Sequence, residues 1–200
     1  MVDRDNMEGM DKMTDLERLT SNIWSSRDFG GWDPDDGFEG VLDALPLRYF
    51  RCREILSPHR KQIARELGYG ERFDVPEAMW RNGITILLIA DKIRHAVGHP
   101  VQMRNFYRPA DYNKAVGGSE NSDHIEARAV DLDFATAADR MVAQGFVRGL
   151  ADAFPSSGWG LGIGMRSLHV GIGRTRGSGR IWYYDSFPSS ERKRGALWVK

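Results

Sequence analysis

Two of the five histidines, His124 and His169, lie beside strand-like runs with an acid in reach. In SENSDHIEARAVDLDF, His124 precedes a segment whose alternation turns Ala129, Asp131 and Asp133 to one side and Val130, Leu132 and Phe134 to the other. A carboxylate between Val130 and Leu132 in a central strand costs desolvation energy unless it is paired or bound to a cation. His169, in SLHVGIG, sits in a second apolar strand. Were these strands neighbours, His124, Asp131 and His169 would form a set of three N/O ligands with a fourth position left for water, the pattern of a catalytic zinc site. Cobalt or manganese would also suit such donors. Spacing alone leaves a plainer alternative open, in which His124 caps a turn, Asp131 takes a backbone or arginine partner, and His169 is a satisfied core histidine. H-x6-D is much less specific than H-E-x-x-H.

The elements that must position these residues read as follows. Residues 1–21 are polar and methionine-rich and carry a short helix or docking arm from Thr14-Asp15 onward. RDFGGWDPDDGFEG, residues 27–40, reads as a loop pinned by Phe29, Trp32 and Phe38; Asp33, Asp35 and Asp36 lack the spacing and glutamate of an EF-hand and read as a turn. Leu42 to Leu67 is mostly helical with a break near Ser57-Pro58 and a left-handed cap at Gly68. Ile86, Ile89, Ala90, Ile93 and Val97 share one helix face, which predicts a buried helix from about Pro76 to Val97, ended by Gly98. After Pro100 come the strand-like runs VQMRNFY, ARAVDLDF, SLHVGIG and RIWYYD, interrupted by a helix over 135–154. This order predicts an α+β domain with a small, mostly antiparallel sheet and flanking helices. The GWGLGIG stretch is not followed by a helix, which argues against a phosphate-binding loop.

Composition narrows the function classes. Lys+Arg 28 against Asp+Glu 28 gives a net charge of +0, so no global field draws the chain to nucleic acid or anionic lipid. A single cysteine, Cys52, allows no intramolecular disulfide and no cysteine-based zinc cluster. The longest apolar stretch, Gly83 to Ala90, is far short of the ~20 residues of a membrane span. The first residues carry acids as well as bases and no apolar core, so they do not read as a signal peptide.

The longer string YRPADYNKAVGGSENSDHIEARAVDLD resembles the M15 family of zinc-dependent peptidoglycan peptidases, which includes D-Ala-D-Ala carboxypeptidases, endopeptidases and phage endolysins. The likeness rests on Tyr107-Arg108-Pro109, Tyr112-Asn113, Gly117-Gly118, Asn121-Ser122, His124, Ala129 and Asp131, then Gly162, Gly164, His169-Val170 and Gly173. It covers about residues 76 to 184 and implies the hedgehog/D-Ala-D-Ala-peptidase fold. It implies Zn2+ held by His124, Asp131 and His169, with Arg108 binding the substrate carboxylate or the developing oxyanion. Asn113, Gly117 and Gly118 are expected to build the turn, and Ser122 to bond backbone or orient a ligand, not to join a Ser-His-Asp triad.

Two positions depart from the family pattern: Ala127 stands for the motif glycine, and Gly171 for the aspartate two residues after the last ligand. Arg166 occupies the other position where the family carries an acid/base group. The general base therefore stays unassigned among Asp123, Asp133 and Asp185, with Glu120 and Glu126 also in reach by sequence. The reading divides the chain into an N-terminal extension, 1–70, a peptidase domain, 71–186, and a basic C-terminal tail, 187–200. The expected partner is a peptidoglycan peptide, with no nucleic acid and no membrane insertion. Without a signal peptide, the expected setting is a host cytoplasm before lysis or a virion, if the gene is a phage's. The alternative is a catalytically impaired M15-fold component of a phage particle that docks structural proteins through the N-terminal segment or the Leu197-Trp198-Val199 tail.

Overall fold

A computed structural model describes residues 36–173 and 180–190. The expected N-terminal arm, the aromatic cluster at Phe29 and Trp32, the Asp33 and Asp35 turn and the Leu197-Trp198-Val199 tail lie outside the described residues. The chain is α+β, with a five-stranded sheet and flanking helices.

Three short helices come first: α1 (Gly37–Ala44), α2 (Cys52–Ile55) and α3 (Lys61–Glu66). The predicted helical stretch 42–67 is thus broken twice, the first time over 45–51, where Leu45 turns extended. That first break is fixed from outside the segment, because the buried Asp91 carboxylate accepts the backbone N–H groups of Arg48 at 3.1 Å and Tyr49 at 2.8 Å. Pro46 also marks it locally, because the residue before a proline is pushed out of the helical region, as Leu45 is. Gly68 takes φ +84°, the left-handed cap expected of it.

The long helix α4 (Trp80–Val97) follows a single 3-10 turn over Glu77–Met79 and ends at Gly98, φ +72°. Ile86, Leu87, Ala90 and Ile93 on it are fully buried. Next come β1 (Val101–Asn105), α5 (Ala110–Ala115), β2 (Ala129–Phe134) and α6 (Ala137–Ala153). Thr136 caps α6 by accepting from Asp139 N–H at 3.1 Å, and its hydroxyl donates to the Asp139 carboxylate at 2.8 Å. The chain closes with β3 (Gly160–Ile163), β4 (Ser167–Gly171) and β5 (Arg180–Tyr183).

The sheet order is β1-β2-β4-β3-β5; all neighbours are antiparallel except β3 and β5. α4 and α6 pack against each other and against one face of the sheet, over Val130, Leu132, Leu168 and Val170, all fully buried. Phe38, Leu42 and Ile55 from the first helices, and Phe50 from the break between α1 and α2, enter this same core. The alternation expected for β2 is present: Asp131 and Asp133 are half-buried on the opposite face, which is left free for chemistry.

Strand β3 is absent from the sequence-based reading. Its glycines resemble turn residues, yet they serve the sheet. A Cβ on Gly162 would come within 2.6 Å of the Trp182 indole, so the glycine lets Trp182 lie flat across β3 from the neighbouring β5.

Candidate metal centre

The register of β2 and β4 places Asp131 directly opposite His169. His124 arrives from a 3-10 turn, Asp123–Glu126, that leads into β2. Ser122 caps this turn by accepting from His124 N–H at 3.3 Å, a backbone role and no triad. Upstream, Gly117 takes φ +79°, and a side chain at Gly118 would strike the Asn113 amide, which donates to Ser119 O at 2.8 Å. Asn113, Gly117 and Gly118 therefore build the turn that presents His124.

One donor atom from each of His124, Asp131 and His169 lies within 4.8 Å of the others. The two oxygens of Asp131 have separate duties. Oδ1 faces the histidines, 2.8 Å from His169 Nδ1 and 3.2 Å from His124 Nε2. Oδ2 accepts from Asn105 Nδ2 at 2.8 Å and Arg108 Nη2 at 2.6 Å. Burial alone would raise the Asp131 pKa, but it lies well below the usual carboxylate range, drawn down by the hydrogen bond from His169 Nδ1, so it is anionic.

His124 provides a test of whether a cation fits. Its Nδ1 sits 2.6 Å from the Phe106 carbonyl, an acceptor only, so this nitrogen carries the proton. Burial pushes the imidazole pKa down, which keeps the ring neutral and leaves Nε2 as a lone pair. That buried Nε2 makes no hydrogen bond and lies 3.2 Å from anionic Asp131 Oδ1. Two acceptors facing each other at this distance repel, and a shared cation relieves the repulsion. The carbonyl behind one ligand and the amide and guanidinium behind another are the supporting bonds that fix ligand orientation in metal sites.

The cluster lines a cleft of about 700 Å³, walled by Arg108, Ser122, Trp182 and Tyr184 among others. The Trp182 ring centroid lies 5.0 Å from that of His169. Arg108 is largely buried and bound to Asp131, so its guanidinium acts first on a ligand. Of the candidate bases, Asp123 and Asp133 line the cleft, whereas Asp185, Glu120 and Glu126 do not. Asp123 is buried and paired with Arg180 at 3.0 Å; Asp133 is partly open and paired with Arg104 at 2.6 Å. Position 171 is closed, because a Cβ there would meet Asp123 Oδ2 at 2.8 Å and His169 Nε2 at 3.2 Å. Ala127 takes φ +52°, in the left-handed region that favours glycine.

A family model described as Peptidase M15 matches residues 69–171, more than half of the chain. The chain belongs to the M15 peptidase family. Membership supports a hydrolase that cuts peptide bonds, in a family whose members are usually zinc-dependent. Among curated proteins none matches the chain. Among the described residues, no helix is long and apolar enough to cross a membrane.

His59 is a cleft residue that sequence reasoning missed, and it lies before the M15 match. Tyr112 holds it: the phenol accepts from Arg60 N–H at 3.0 Å and stands 3.1 Å from His59 Nδ1. Desolvation, with Arg108 and Arg60 nearby, pushes its pKa down to about 4, so the imidazole is neutral. No local signal marks it, since its role depends on how 52–66 folds over the cleft. His95 and His99 serve elsewhere, against Tyr49 and Asp139.

Proposed function

We propose that this M15 protein is a zinc-dependent peptidase that hydrolyses a peptide bond in bacterial peptidoglycan, in phage lysis or as part of a virion. The observation that carries the reading is the buried, unbonded His124 Nε2 at 3.2 Å from Asp131 Oδ1, grouped with His169. Zinc at such a donor set supplies Lewis acidity toward a carbonyl and acidifies water.

The chain's own groups do the rest. Asn105 and Arg108 hold Asp131 Oδ2 so that Oδ1 stays turned to the histidines. Arg108, at the cleft wall, is also the cation placed to meet a substrate carboxylate or a developing oxyanion. Asp133, open to the cleft, is placed to take and return a proton at a carboxylate oxygen, while buried Asp123 is tied to Arg180. Trp182 covers one flank of the His169 ring and limits water there.

One observation favours the second reading, a catalytically impaired component of a phage particle. The carboxylates lining the cleft each face an arginine, and position 171 carries none. Metal analysis of the purified protein, with mass-spectrometric digestion of peptidoglycan by wild type and His124→Ala, separates the two. About one zinc per chain, with products lost in the variant, is the expected result. Zinc without products favours the impaired component, and absence of metal and products overturns the peptidase.

A further inference from the structure

The arginines around the cleft are unevenly partnered. Arg108, Arg104 and Arg180 are each bound to a carboxylate of the cleft itself. Beside the cleft lies a second hollow of about 670 Å³, which shares His59, Arg104 and Asp133 with it, so the two adjoin. Arg51 and Arg53, flanking the first residue of α2, line this hollow and are exposed. Among the described residues neither side chain makes an ion pair or a hydrogen bond. The acids of the hollow are occupied: Glu54 accepts from Met103 N–H at 3.0 Å, at the outer edge of β1, and Asp133 holds Arg104. Two exposed guanidinium groups without an ion pair among the described residues thus stand at one end of the cleft, with the Glu54 carboxylate in the same hollow.

We propose that this hollow is an extension of the substrate cleft, in which Arg51 and Arg53 bind a free carboxylate of the peptide at a distance from the scissile bond. The inference rests on the peptidase reading and adds an acidic substrate class to it. The planar guanidinium forks suit a carboxylate bidentately. Both arginines precede the M15 match, so the preference belongs to this chain's own N-terminal helices.

The test is equilibrium binding by the full-length protein of two synthetic wall stem peptides, identical except that the side carboxylates are free in one and amidated in the other. Wild type is expected to bind the acidic peptide about fivefold tighter at low salt, falling as salt screens the exposed contacts. Arg51→Ala/Arg53→Ala should erase that preference and leave affinity for the amidated peptide unchanged, and Arg51→Lys/Arg53→Lys should keep part of it. The extension is overturned if wild type binds both peptides equally, or if the alanine variant keeps the full preference. If wild type binds neither peptide, the wall-peptide reading itself falls, together with this extension of it.

Discussion

The two faces of the sheet are built from alternate residues of the same strands and are dry for different reasons. On the helical face, Leu132, Leu168 and Val170 are buried by volume, packed under α4 and α6. On the other, half-buried Asp131 and buried His169 are held by polar pairing, with amide, guanidinium and imidazole groups closing around them. An apolar contact is non-directional and tolerates small displacements, whereas a buried carboxylate demands partners at fixed angles. Stability should therefore reside mainly on the first face and ligand geometry on the second, so that substitutions on each should move different observables.

Leu132→Ala should break the helical face most severely. The side chain is fully buried on the central strand between β1 and β4. Urea denaturation should show a loss of about 2–5 kcal/mol. Zinc stoichiometry below the transition should be unchanged, because the adjacent Asp131 points to the other side. A lost metal with little lost stability would dissolve the distinction between the faces.

Asn105→Ala should do the converse. Asn105 donates to Asp131 Oδ2 from the edge strand and contacts no other ligand. Removing it leaves Arg108 alone to hold that oxygen, so Oδ1 loses its fixed direction. Zinc affinity, measured by chelator competition, should fall about 10–100-fold, while the denaturation midpoint of the metal-free protein moves little. Equal affinity in both proteins would show that Arg108 suffices.

How much of this was legible in the sequence follows the same division. The apolar face announces itself through periodicity: α4 by its helical spacing and β2 by strict alternation, including which aspartates face outward. The site face was legible only as residue types. That His169 stands opposite Asp131 is a fact of register between strands 38 residues apart in the chain, which no local pattern encodes. Strand β3 was hidden because Gly160 and Gly162 are selected by side chains of β5 lying over them, so composition imitates a turn. His59 and the paired arginines were hidden for a similar reason, since each owes its place to a segment distant in sequence. Ala127 stands out in the sequence by its resemblance-based departure from a glycine, and the backbone there takes φ +52°.

Ala127 lies where the two faces meet, with its methyl in the apolar core and its backbone closing the turn that carries His124. At φ +52° a non-glycine residue costs about 1–2 kcal/mol. Losing the buried methyl costs about 0.8 kcal/mol. Ala127→Gly should therefore stabilise the protein by up to about 1 kcal/mol, the smallest of these effects. Arg128 N–H donates to Asp123 O at 2.9 Å and Ala127 N–H to His124 O at 3.2 Å, bonds that hold the turn with either residue. Zinc affinity should accordingly stay the same. A clear rise in affinity would mean that the strain at Ala127 is transmitted to His124, and that the residue replacing the motif glycine detunes the metal site instead of only taxing the fold.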